Sequence, residues 1–303
     1  REALIYKLLA GEAAPFLETI YETDWYKILK VTYAEPLATH YAGFGLDYGY
    51  FQRELEKEAS LLEQEGGVGA VGGIVPHHYP FTDAFFPKFF AYLKKTQPRT
   101  VVLIGPDHSA EAKGNIVFSE RTWVTPFGNL EPERAAIKEL VAAGLGSIDE
   151  DIHQTEWSIK ILIPYIAAVA PEAKVVPVLM RNDTPDVLAE AFGKKIAETI
   201  PGNTVIILSA DFAHKLSRTE TDVRDEESKR AIDGIDPMTL GIEHIDARPG
   251  LISLFAAMKA RGAVFPIQVG HGTSESLHEA DSQRYPEYPY IVSYFSYVFA
   301  KNK

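Results

Sequence analysis

From Val68 onward, short apolar runs alternate with longer stretches in which apolar residues recur at helical spacing. The runs VGAVGGIV (68–75), TVVLIG (100–105), KVVPVLM (174–180), TVIILSA (204–210), AVFPIQVG (263–270) and YPYIVSYFSYVFA (288–300) have the length and the β-branched and aromatic content of strands. Between them, 82–95, 131–144, 155–170, 185–200, 222–235 and 249–262 read as helices. Thr82 is placed to cap the first and Gly144 to end the second, while Pro249 stands near the first position of the last. Strands alternating with helices predict an α/β layered domain over 67–303. Unbroken apolar runs suit strands buried on both faces. Residues 1–66 read instead as a helical N-terminal extension packing on that domain, with a polar helix running up to Gly66-Gly67. The aromatic tail 285–300 reads as sheet core.

Four of the strand-like runs end in ionisable residues. GGIV leads into Pro76-His77-His78, VVLIG into Pro106-Asp107-His108, VIILSA into Asp211 and His214, and FPIQVG into His271. In an open α/β sheet the carboxyl edge of the strands is where ligands bind. A pocket lined by imidazoles and carboxylates suits a divalent metal, and two histidines with one carboxylate on one face leave positions open, as in non-haem Fe(II) sites. His77 and His108 are the ligand candidates. Asp107, Asp211 or a carboxylate from further along completes the set, and Asp107 also suits a turn. The chain has no cysteine, which removes disulfides, thiolate zinc sites and cysteine nucleophiles. The two-histidine, one-carboxylate pattern favours Fe(II), with zinc held by N and O ligands, copper or manganese as alternatives. A serine hydrolase built on Ser109 or Ser209 with His214 and Asp211 is the rival enzyme, but neither serine stands in a G-x-S-x-G elbow. The glycines of GGVGAVGG do not form a phosphate loop. His40 reads as a structural or surface histidine, and His244 and His278 read as surface residues.

Charge narrows the partners. Net charge is −12 with a pI near 5.3, which disfavours a general grip on nucleic acid. A small molecule or peptide is the expected ligand. No apolar run approaches the ~20 residues that span a bilayer. The chain starts at Arg1 rather than Met, leaving an upstream leader or anchor, the compartment and the oligomeric state open.

GGIVPHHYP, VVLIGPDHS, WVTPFGNL, TEWSIKILIPYI, VVPVLM and ILSADFAHK, in this order, resemble the Memo-like family, whose bacterial and archaeal members are called AmmeMemoRadiSam system protein B. The resemblance covers about 68–300. It implies a three-layer α/β/α domain around one mixed, largely buried sheet, related in fold to class III extradiol dioxygenases. It further implies His77 and His108 as metal ligands and Asp211 and His214 as proton-handling neighbours. In HIDARPGLISL, Asp246 falls at the third ligand position. Asp246 also suits a helix cap. The family's EHS is EWS here, so Trp157 replaces a pocket histidine, and His153 is the residue that would lean into the same space. His78, Arg248 and His271 complete the expected pocket; Arg248 either binds an anionic substrate or covers a surface, and His271 either lines the rim or stands on an exposed loop. Three readings follow: a metal-dependent oxidoreductase of dioxygenase type, a non-enzymatic metal, ligand or peptide binder, and a member that has lost its metal.

Overall fold

The computed structural model describes residues 39–301 except 44, 45, 47, 201, 238, 239, 242 and 263. Most of the expected N-terminal extension, 1–38, therefore lies outside the described residues. The strands are β1 (Thr39–Tyr41), β2 (Ala70–Val75), β3 (Thr100–Asp107), β4 (Ile116–Phe118), β5 (Thr122–Thr125), β6 (Gly128–Leu130), β7 (Ser147–Ile148), β8 (Lys174–Arg181), β9 (Thr204–Ser209), β10 (His214–Leu216), β11 (Val264–Thr273) and β12 (Ile291–Lys301). The helices are α1 (Gly49–Gln64), α2 (Phe86–Thr96), α3 (Arg134–Ala142), α4 (Glu150–Thr155), α5 (Trp157–Lys160), α6 (Ile163–Val169), α7 (Asp186–Thr199), α8 (Arg218–Asp233), α9 (Arg248–Arg261) and α10 (Ser274–Ala280).

Nine strands form one mixed sheet in the order β10-β12-β2-β9-β3-β8-β4-β7, with β11 also on β12. β2, β9, β3 and β8 are mutually parallel, while β12 runs antiparallel to β2 and β4 antiparallel to β8. β1, β5 and β6 form a small second sheet. Every residue of β3 and β9 is buried because alternate side chains enter two different cores. Val102, Ile104, Ile206 and Leu208 face α3, α7, α8 and α9, whereas Val101, Leu103, Val205 and Ile207 face α1, α2 and α6. The molecule is thus a three-layer α/β/α fold around a mixed sheet. The glycines of GGIV have a packing cause. A Cβ at Gly73 would run into the Phe89 ring and the Tyr297 carbonyl, so only glycine lets α2 and β12 close on β2 here.

Two local expectations need correction. Thr82 is not a helix cap. It is buried in a 3-10 turn over Phe81–Ala84, which turns Phe81 and Phe85 into an aromatic cluster with Tyr285 and Tyr294. α2 starts only after it, with Pro87 in its first turn. The segment 155–170 is not one helix but α4, α5 and α6. Glu156 is extended (φ −67°, ψ 123°) between the first two, and Pro164, which has no N–H to give, opens the third.

Candidate metal centre

The parallel strands β2, β3 and β9 end side by side, and their carboxyl ends open into a cleft of about 610 Å³. His77 follows β2, His108 follows β3 and Asp211 follows β9. Asp246 arrives from the loop before α9. The Phe212–Ile245 bridge and the Asp246 N–H to Asp211 carbonyl bond (3.1 Å) hold that loop to the segment after β9. The Asp246 carboxylate does not cap α9: its Oδ1 accepts from the Asp211 amide at 3.0 Å. Its Oδ2 is left facing the imidazoles, 3.2 Å from His77 Nε2, 3.4 Å from His108 Nε2 and 4.0 Å from His214 Nε2.

The other ring nitrogen of each central histidine is tied down. The Ser209 hydroxyl donates to the Ser158 carbonyl (2.6 Å), so its oxygen accepts from His77 Nδ1 at 3.0 Å. Glu156 Oε1 accepts from His108 Nδ1 at 2.9 Å. Both rings therefore carry hydrogen on Nδ1 and turn Nε2 toward Asp246, the tautomer and orientation a metal-binding imidazole needs. His77, His108 and Asp246 bring three ligand atoms within 4.8 Å of one another, and Asp211, His214 and Asp246 form an overlapping group. This donor set, two neutral nitrogens and a carboxylate without thiolate, fits a divalent first-row ion.

The charges interlock. Burial opposes protonation of His77, but Asp211 and Asp246 outweigh it and push its pKa up. Burial likewise works against charge on His108, yet its bonds to Asp246 and Glu156 push it up to about 10. Glu156 pays a burial penalty too, and His108 and the Ser158 amide still bring it down to about 2. Asp246 is buried and is nevertheless held well below the carboxylate range by His77 and His108. An ion entering between the rings would take the place of the Nε2 protons, so binding releases protons.

The other expected residues divide. His78 lines the cleft, bonds Tyr294 Oη at 2.8 Å and has its pKa lowered by burial. Trp157 lines the cleft and is 43% exposed, so it stands on the wall rather than plugging the space. Asp107 is a turn former, accepting from Ser109 Oγ and the Ala112 amide. Three residues are carried elsewhere. His153 is fully buried and bonds the Asp149 carbonyl within its own α4 turn. Arg248 is paired to Asp186 and the Leu240 carbonyl. His271 stacks on Phe295 and bonds Asp225 at 2.8 Å, because its strand directs it toward α8. His244, expected at the surface, is buried against Glu227. Several cleft residues carry no mark in the sequence, Glu156, Tyr288 and Tyr290 among them. Glu156 was hidden in an apparent helix, and Tyr288 and Tyr290 in an apparent strand, yet all three line the cleft.

A mixed three-layer α/β fold with a two-histidine, one-carboxylate cluster at the parallel strands' carboxyl edge defines the structural class. A model of the family described as Memo-like protein matches residues 50–245. The chain belongs to that family. The match includes His77, His108, Asp211 and His214 and ends one residue short of Asp246. A "MEMO1 family protein" of Thermotoga maritima is 34% identical over 157 residues, 50% of this chain and 56% of its own. MEMO1 family protein MK0963 of Methanopyrus kandleri is 27% identical over 261 residues, covering 83% of this chain and 90% of its own. The chain thus spans little more than half of the Thermotoga relative and most of the Methanopyrus one. Among solved structures, uncharacterized protein JW3007 from Escherichia coli K12 aligns with a TM-score of 0.49 at 10% identity, over 75% of this chain and 98% of that one. No helix among the described residues is long and apolar enough to cross a membrane.

Proposed function

We propose that this protein binds one divalent metal ion through His77 Nε2, His108 Nε2 and Asp246 Oδ2, and that it is a metal-dependent oxidoreductase of dioxygenase type. The observation that carries the first part is the pair of Nδ1 tethers. Ser209 and Glu156 leave each ring one free nitrogen, and both free nitrogens converge on one carboxylate oxygen. Bound there, a redox-active ion such as Fe(II) would supply open positions for a substrate oxygen and dioxygen side by side. Zinc, copper and manganese suit the same donors less selectively.

The chain's own contribution is positioning and proton handling. Asp211 accepts the His77 amide at 3.1 Å and so fixes the loop that carries this ligand. His214 stands at the cleft edge beside Asp246, exposed enough to exchange protons with solvent. There it takes a proton from a bound hydroxyl and returns one to the product, as a general acid/base. A non-enzymatic binder is the second reading, favoured by the aromatic side chains of Trp157, Tyr288 and Tyr290 that line the cleft.

Elemental mass spectrometry on protein purified without chelator or histidine tag, and again after anaerobic Fe(II) loading, tests the first part. The expected result is near one metal per chain in the parent and its loss in His77→Ala, His108→Ala and Asp246→Ala. A parent that holds no ion after loading overturns it. Oxygen consumption by the loaded protein over a broad panel of phenolic and related compounds tests the second part. No consumption above that of His214→Ala leaves the binder.

A further inference from the structure

Lys215 follows the proposed acid/base His214 on the short edge strand β10. Pairing with β12 is irregular there: His214 faces Val292 and Leu216 faces Ile291, with the register shifting between them. Lys215 is the residue taken up by the shift, and it has φ +60°, a left-handed conformation that non-glycine residues rarely adopt. A bulge of this kind re-aims a side chain that regular alternation would send elsewhere. Here it brings the Lys215 ammonium 5.2 Å above the Tyr290 ring, on the cleft wall. No carboxylate among the described residues forms a salt bridge with Lys215. By contrast, Asp211, Glu156 and Asp246 are each engaged by amides or imidazoles.

The strand order sets two walls apart. β10 and β12 lie on one side of His77, giving the wall of Lys215, Tyr290 and Tyr288; β3 lies on the other, giving His108, Glu111 and Trp157. Tyr290 meets Tyr288 edge-on, and Tyr288 meets His78 edge-on, so flat rings line the way from Lys215 toward the cluster. Glu111, an exposed carboxylate with no ion pair among the described residues, stands on the opposite wall.

We infer that the cleft selects a planar aromatic monocarboxylate, with its ring against the tyrosine wall and its carboxylate on Lys215. The inference rests on reading the cleft as a ligand site, and it does not require that the cluster hold metal. Aromatic faces prefer flat rings. A lone ammonium favours one carboxylate, and Glu111 penalises a second at the far end.

The test is isothermal titration of metal-free and Fe(II)-loaded full chain with 2-naphthoate, 2-naphthamide, naphthalene-2,6-dicarboxylate and cyclohexanecarboxylate. The expected result is binding of 2-naphthoate to both forms, at least about tenfold tighter than the other three. Lys215→Met should weaken 2-naphthoate by about tenfold and leave 2-naphthamide unchanged, and Lys215→Arg should restore it. Glu111→Gln should admit the dicarboxylate. Metal content and circular dichroism of each variant establish that it folds and keeps any ion the parent holds. Equal binding of naphthoate and naphthamide, or no effect of Lys215→Met in a folded variant, overturns the inference. Naphthoate binding that appears only with metal and ignores Lys215 also overturns it, and leaves the metal reading standing.

Discussion

Among the described residues, two clusters set paired histidines beside a carboxylate, and they use their ring nitrogens differently. At the cleft, His77 and His108 each spend one nitrogen on a protein acceptor and turn the other toward Asp246. Under the small sheet, His40 and His153 lie with ring centroids 6.4 Å apart, both fully buried. His40 has spent both nitrogens, Nδ1 on Gln154 and Nε2 on Ser119 and Glu150. It fastens β1 to α4 and leaves no lone pair converging with others. What sets the cleft cluster apart is therefore not the density of histidines but two ring nitrogens aimed at one carboxylate oxygen.

Exchanging the two clusters' roles by mutation gives the largest expected effects. His77→Ala or His108→Ala should lower metal affinity at least ~100-fold with a small change in stability, whereas His40→Ala should leave metal stoichiometry unchanged. In urea unfolding, His40→Ala should instead cost about 2–3 kcal/mol, because Glu150, Ser119 and Gln154 lose their buried partner. Metal loss in His40→Ala with unchanged stability would erase the contrast.

Glu156→Gln comes next. It keeps the shape but weakens the hold on His108 Nδ1, and metal affinity read by competition with a chelator should fall about 10- to 100-fold. The corresponding change in the closed cluster, Glu150→Gln, acts on stability against pH. Burial disfavours the Glu150 charge, but bonds from His40, Ser119 and the Glu120 amide prevail and hold its pKa at about 2, below the ordinary 4.5. A depressed carboxyl stabilises the folded state fully above the higher value and loses that contribution as pH falls toward the lower one. The parent should lose about 1–3 kcal/mol from this group between pH 4.5 and 2, and Glu150→Gln should lack that part of the acid limb in chemical denaturation. The smallest effect is expected at Trp157. Trp157→Ala removes a wall residue that is 43% exposed, so stability should change by under about 0.5 kcal/mol and metal affinity by under about threefold.

What could be read from the sequence followed the chain's local logic. The layered α/β domain was legible because unbroken apolar runs alternate with helical ones, while the three layers around a mixed sheet followed from the family resemblance. His77, His108, Asp211 and His214 were legible because each stands just past such a run. Asp246 carries no such mark: it belongs to a loop before a helix, 138 residues beyond His108, and only the family resemblance pointed to it. Glu156 was lost inside a segment whose apolar periodicity hides a break, since one extended residue leaves little trace in a pattern. His271 lies within β11, which runs in the same direction as β2 but two strands away from it, and it faces α8. Arg248 and His153 found nearer partners in Asp186 and Asp149. Lys215 and Tyr290 depend on a shift in strand pairing that no single-strand pattern encodes.

The stretch Glu156–Ser158 has a consequence for how the centre tolerates change. Glu156 holds one imidazole directly, and the Ser158 carbonyl holds the other through Ser209. Gly105 makes room for this mounting, since a Cβ there would come within 2.6 Å of Ser158 Oγ. Both rings hang from a single bracket three residues long. A change in the bracket therefore acts on the mountings of both rings at once. The middle residue contributes backbone to the bracket and sends its side chain into the cleft. A substitution of that side chain would change the cleft wall, whereas an insertion or deletion in the bracket would disturb the mountings of both imidazoles.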